Sequence, residues 1–449
     1  MGLDKGDRVR HPTFGTGVVR RKLVLQSVVV QFDGTPHLAR TLRLSELEPT
    51  EAVNGRNAEH GPAPRTEYRP RLERDEAWQT LEALRLGVVP ARGVRDYTVA
   101  REEELANVAA LLAEGAGCRV LWGDYGAGKT HLLDAAEQLA LEQGFATARI
   151  TLDPRENALH HPLRLYRHVA DSVRSAEQVA PGFEALFERL GESPDHYRPD
   201  GARASRFFSP YLHALRHGDA EQIGWLRDYA RGDNVGAVEV NQVLARLRWS
   251  GLGVLRMSDY RTYGRMYVHL VGTLACWCAD AGTRGLVLLF DEVERVDALA
   301  MDDRQYAFEV LRHYAAVTMD AADLAFDPES LYKGGHEVHR ALPLRFKESQ
   351  PLVTLFALTP LEEIRRQFES LTSSPAYDLR LAPLRPALLA ELVERIAALY
   401  ERAYAGHSVS AAVRGSVCRR IAEDHEGGHD SFRDAVRSTV FQLDADRLG

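Results

Sequence analysis

Residues 117–130, GCRVLWGDYGAGKT, decide the fold. A short apolar run ends at Gly123, and KTHLLDAAEQLALEQG (129–144) follows with apolar residues at helical spacing. Between them, Gly123-Asp124-Tyr125-Gly126-Ala127-Gly128-Lys129-Thr130 satisfies G-x-x-x-x-G-K-[ST] at every fixed position. The residue types have physical reasons. Glycines let successive backbone N–H groups turn inward around phosphate oxygens. A helix starting at the loop points the positive end of its dipole at the same anion. Lys129 is expected to reach the β- and γ-phosphates, and the Thr130 hydroxyl to ligate Mg²⁺. The strand–loop–helix context makes ATP the expected cofactor, with Gly123 through Thr130 and the following His131 as its contacts.

Working outward, RGLVLLFDEVE (284–294) is the next informative run. Its apolar core does not alternate, so a strand buried on both faces is expected. It ends in Asp291 and Glu292. In a parallel sheet that end is expected beside the phosphate loop. Asp291 is then expected to hold Mg²⁺, and Glu292 to polarise the attacking water as general base. A further buried strand, PLVTLFALTP (351–360), ends in Thr359, which resembles the polar strand end that contacts the γ-phosphate or the water in ring-forming ATPases. FATARITLD (145–153) and YDLRLAPL (377–384) complete a set of strands alternating with helices, which implies a parallel α/β sheet.

The 449 residues exceed one ordinary domain. Residues 1–50 read as a small all-β unit, with Val28, Val30 and Phe32 alternating against Val29 and Gln31 and Asp33-Gly34 as a turn. Residues 51–75 are poor in large apolar side chains and read as a linker. Residues 76–385 form the expected ATPase core, with a helical insertion at about 154–280, and 386–449 a helical end. The net charge of −8 gives no bulk attraction to nucleic acid. No run approaches the roughly 20 apolar residues of a membrane span, and no secretory signal opens the chain. Cys118, Cys276, Cys278 and Cys418 lack metal-site spacing and suit a reducing cytoplasm.

This order of phosphate loop, acidic strand and polar strand end, followed by helices, resembles the AAA+ class of P-loop ATPases. More narrowly, LRLGVVPARGVRDYTVAREEELANVAALL (84–112), WGDYGAGKTHLL (122–133), GLVLLFDEVERV (285–296), LFALTP (355–360) and RIAALYERAY (395–404) resemble the BREX-system ATP-binding family of BrxD type, from bacterial phage-defence loci. The family's usual glycine before Arg101 is Ala100 here. The resemblance implies a C-terminal helical lid and a sensing Arg433, with Asp430 or Ser431 capping its helix. It also implies an arginine finger at Arg365 or Arg366 acting in trans, hence a homo-oligomer. GDRVRHPTFGTGVV (6–19), VVVQFDG (28–34) and LRLSELEP (42–49) resemble the Tudor-like domain of UvrD-type DNA helicases, of SH3-barrel architecture. The implied function is an Mg²⁺-dependent ATPase that remodels or loads a DNA-bound partner in phage defence or DNA repair. The implied partners are DNA and a helicase or another defence-system protein, with no membrane. Two alternatives stand beside it: an ATP-dependent switch or adaptor with little turnover, and a DNA-binding adaptor working through residues 1–50.

Overall fold

The computed structural model describes residues 8–11, 15–23, 27–32, 39–43, 48–49, 69–88, 90, 93–178, 180–333, 340–381, 386–426 and 432–448. Two units divide the chain, Met1–Glu67 and Tyr68–Gly449.

In the first unit, β1 (Arg8–His11), β2 (Gly15–Leu23), β3 (Ser27–Phe32), β4 (Ala39–Arg43) and β5 (Glu48–Pro49) form one antiparallel sheet. Its order is β4-β3-β2-β1-β5, so β5 returns to pair with the first strand rather than with β4. The β2–β3 register shifts between Val19 and Arg21, a bulge that adds twist. Asp33-Gly34 lies outside the described residues.

The second unit opens with α1 (Arg69–Arg85), which begins inside the stretch expected as linker. Pro70 falls in the first turn of this helix, where its missing N–H would have no partner in any case. After α2 (Glu102–Glu114) comes a parallel sheet of β6 (Gly117–Trp122), β7 (Ala146–Thr151), β8 (Leu286–Asp291), β9 (Leu352–Leu358) and β10 (Asp378–Arg380). Every neighbouring pair is parallel, in the order β10-β6-β9-β8-β7. Each residue of β8 and β9 is buried, as strands covered on both faces must be. β10 alternates and takes an edge.

The acidic strand β8 does not adjoin β6; β9 lies between them. Apolar patterning identifies the strands, but crossover helices set their order. Here the crossover is α11 (Met301–Thr318).

Helix α3 (Lys129–Glu142) follows the phosphate loop. Between β7 and β8 lie α4 (Pro162–Ser172), α5 (Glu184–Phe187), α6 (Pro194–Tyr197), α7 (Ser209–His217), α8 (Ala220–Arg231), α9 (Ala237–Arg246) and α10 (Gly264–Asp280). The last of these is buried continuously from Gly264 to Cys278, so it is a core helix in the same apolar cluster as β8. Phe183, Phe187, Phe208 and Trp277 pack ring against ring beside it.

After β9 come α12 (Glu362–Glu369) and, beyond β10, α13 (Pro386–Ala403), α14 (Ala411–Glu426) and α15 (Phe432–Leu448). Helix α1 shares their core. Ala77, Leu81 and Leu84, one helical face, are buried with Leu389, Leu392, Ile396, Val436, Val440 and Leu443. Arg85 adds ion-paired hydrogen bonds of 2.7 and 2.9 Å to Asp444. Residues 69–85 therefore pack with the C-terminal helices, although residues 76–85 were expected in the core around the sheet. Among the described residues no helix is long and apolar enough to cross a membrane.

Candidate functional site

The loop after β6 has the geometry its glycines permit. Gly126 and Gly128 stand at φ 80° and 90°, in the left-handed region where a Cβ is strained. At Gly123 a Cβ would lie 3.2 Å from Lys129 Cγ and 3.3 Å from Ala127 Cβ. Helix α3 starts immediately at Lys129, so its unpaired N–H groups face the cavity beside the loop.

Lys129 is buried, with its ammonium turned back on the loop. It donates to the carbonyls of Gly123 at 2.9 Å and Asp124 at 3.2 Å, and to Thr359 Oγ1 at 3.0 Å. Thr359 in turn donates to Glu294 Oε1 at 2.5 Å, and that carboxylate lies 3.8 Å from Lys129 Nζ. The strand order explains the meeting, since β9 ends between the loop and the acidic turn. Glu294 was not anticipated. Its signal is the spacing Asp291-Glu292-Val293-Glu294 running straight into a 3₁₀ turn, Val293–Ala298.

Asp291 is 2% exposed. Its Oδ2 accepts from Arg149 on β7 at 2.9 Å, and its Oδ1 from the Glu292 backbone N–H at 3.0 Å. Arg149 also pairs with Asp134 on α3. Glu292 sits at φ 59°, ψ 34°, a conformation that costs a non-glycine residue of order 1 kcal/mol. Its carboxylate accepts from Arg295 at 3.1 Å.

A solvent-open cavity of about 170 Å³ joins these groups to an apolar wall. Tyr125, Gly126, Gly128, Lys129, Thr130, Glu292, Glu294 and Arg433 line one part, and Leu84, Val88, Tyr97, His131, Phe432 and Val436 the other. Three rings run in series: Tyr97 to His131 at 4.9 Å, and His131 to Phe432 at 4.6 Å. Thr98 gives its hydroxyl proton to Val94 O, so His131 Nε2 must be the donor in its 2.8 Å contact with Thr98. Burial, aided by the Arg101 charge, pushes the His131 pKa down to about 3 and keeps the ring neutral. The Phe432 N–H reaches Gly126 O at 3.3 Å, joining α15 to the loop. Arg101 braces the loop from below through Ala127 O at 2.8 Å. Ala100 stands at φ 47°, where a glycine would carry no penalty.

Residues 72–190 match the family described as BREX system ATP-binding protein BrxC/D. That span runs from α1 through the phosphate loop and ends before Asp291, Glu292 and Thr359. No curated protein matches. Among solved structures, the Aeropyrum pernix ORC1 protein in complex with DNA aligns at 16% identity with a TM-score of 0.34. The alignment covers 79% of this chain and 63% of that one.

Of the residues expected at the site, Tyr125, Gly126, Gly128, Lys129, Thr130, His131, Glu292 and Arg433 line the one cavity. Gly123, Asp124 and Thr359 touch it through the Lys129 ammonium, and Asp291 lies directly behind Glu292. Ala127 is buried beneath the loop. Arg433 is exposed within the first turn of α15; the proposed caps Asp430 and Ser431 lie outside the described residues. Arg365 and Arg366 are exposed on α12 and absent from the cavity lining, and Arg366 pairs with Glu362 and Glu363 of its own helix. The apolar wall was missed because its parts, 84–88, 97 and 432–436, come from distant segments.

Among the described residues no group of three or more His, Cys, Asp or Glu could hold a metal by itself. A phosphate-bound Mg²⁺ asks for less, one or two protein oxygens with the rest from phosphate and water. The donors near the loop fit that, being oxygen only: the Thr130 hydroxyl and the carboxylates of Asp291, Glu292 and Glu294. The buried Glu294 Oε2 takes no hydrogen bond among the described residues.

Proposed function

We propose that this chain is an Mg²⁺-dependent ATPase of the AAA+ class, working in BREX-type phage defence. The observation that carries the reading is the Lys129–Thr359 hydrogen bond, which brings a P-loop lysine and a strand-end hydroxyl to one point, with an acidic pair on the next strand. In this reading the adenine lies against Val88, His131 and Phe432, and the phosphates take the loop N–H groups and Lys129. Thr130 and Asp291 would hold the ion, which supplies charge neutralisation to the phosphates. Glu292 accepts the proton of the attacking water, Thr359 orients that water or the γ-phosphate, and Arg433 senses the nucleotide from α15. Residues 386–449 act as the lid, residues 1–50 as a Tudor-like SH3-type barrel, and Arg365 or Arg366 as a finger for a neighbouring copy. A DNA-bound partner, such as a helicase or another defence component, is what the work is spent on.

The test is turnover. Glu292→Gln should cut ATP hydrolysis by about 10²–10⁴-fold while ATP still binds. If the unsubstituted chain releases no phosphate with or without single- or double-stranded DNA, the ATPase reading is wrong. One observation favours a slow nucleotide switch as second reading: Asp291 is engaged by Arg149, so its role at the ion needs that contact to rearrange. Nucleotide-dependent partner binding at undetectable turnover would select it.

A further inference from the structure

We propose that Glu294 is a γ-phosphate gate: a carboxylate that occupies the surroundings of Lys129 and Thr359 until a γ-phosphate displaces it. The inference rests on the ATP-site reading above and adds a residue and a discrimination to it.

The geometry is specific. Lys129 Nζ spends its hydrogen bonds on two loop carbonyls and on Thr359 Oγ1. The Thr359 hydroxyl has one proton, and it goes to Glu294 Oε1 at 2.5 Å. Thr359 therefore cannot donate to a phosphate oxygen or a water while Glu294 holds it. The second carboxylate oxygen, Oε2, is buried and accepts nothing among the described residues, an expensive state for an ionised group. Glu294 also lines the cavity alongside Lys129, Thr130 and Glu292. An anion drawing the Lys129 ammonium would meet the Glu294 charge, 3.8 Å from that ammonium, at close range. Like charges in this partly dehydrated pocket repel strongly.

ADP leaves the γ-phosphate position empty, so Glu294 keeps its place. ATP must displace it, which frees the Thr359 proton for the nucleotide. The displaced carboxylate moves with the turn Val293–Ala298, which begins one residue after Glu292. Glu294 is thus a positioning residue, acting through Lys129 and Thr359, and it makes the site report on the third phosphate.

The test compares affinities of the full chain for MgADP and for the magnesium complex of adenylyl imidodiphosphate, by titration calorimetry. Glu294→Gln keeps the shape and removes the charge. It should tighten the triphosphate analogue about tenfold and leave MgADP within twofold. Glu294→Asp, which keeps the charge, should stay near the unsubstituted ratio. A Glu294→Gln variant whose two affinities change by the same factor, or not at all, overturns the gate while leaving the nucleotide site intact. Failure of the unsubstituted chain to bind either nucleotide overturns both readings.

Discussion

Arg149→Met is the sharpest perturbation of the acidic strand. Arg149 lies between two carboxylates, Asp134 on α3 and Asp291 on β8. Its side chain is 21% exposed and that of Asp291 only 3%. Methionine keeps much of the aliphatic stem but removes the cation. Two anions then face each other with little water, and Asp134 Oδ2 already lacks a partner among the described residues. Removing one member of a buried pair costs about 3–5 kcal/mol. Partial exposure of Arg149 puts this case near the lower end, at about 3 kcal/mol. The assay is urea unfolding followed by tryptophan fluorescence, since Trp122 and Trp277 are buried in the second unit. The decisive comparison is the double variant Arg149→Met/Asp291→Asn. With one anion neutralised, about 1–2 kcal/mol should return, so the double variant is more stable than Arg149→Met alone. A double variant less stable than Arg149→Met would refute the claim that charge, rather than packing, is what Arg149 contributes.

Ala100→Gly should raise stability by about 0.5–1 kcal/mol, because φ 47° is strained for alanine and free for glycine; thermal unfolding would register this as a higher midpoint. Acid should destabilise the protein through His131. Its folded pKa of about 3 lies below the ordinary histidine value of 6.5, so above pH 6.5 it costs nothing, and as pH falls towards 3 only the unfolded chain gains the proton. The expected cost is about 2 kcal/mol at pH 5, and His131→Gln should flatten the pH dependence of the urea midpoint by that amount.

The phosphate loop and the two carboxylates after β8 were legible because each is a contiguous string whose chemistry fixes its residue types. Strand character was legible for the same reason: the unbroken apolar runs of β8 and β9 can only be covered on both faces. The neighbour relation was not. That β9 separates β6 from β8 depends on where α11 packs, and no local pattern records it. The Glu294 contact follows from that order, so it too was invisible. The wall of Leu84, Val88, Tyr97 and Phe432 was hidden because it joins segments more than three hundred residues apart. Helix α1 was misplaced because its polar, proline-containing start outweighed the spacing of Ala77, Leu81 and Leu84, which matters only once the C-terminal helices supply the opposing face.

That packing has a mechanical corollary. The polypeptide enters its larger unit through α1, and α1 is fastened to α13 and α15 by an apolar core and the Arg85–Asp444 clamp. Helix α1 is therefore anchored to the helices that wall the cavity, not to the sheet beneath it. A change that loosens that shared core reaches the cavity through Leu84 and Val436, which belong to both the core and the lining.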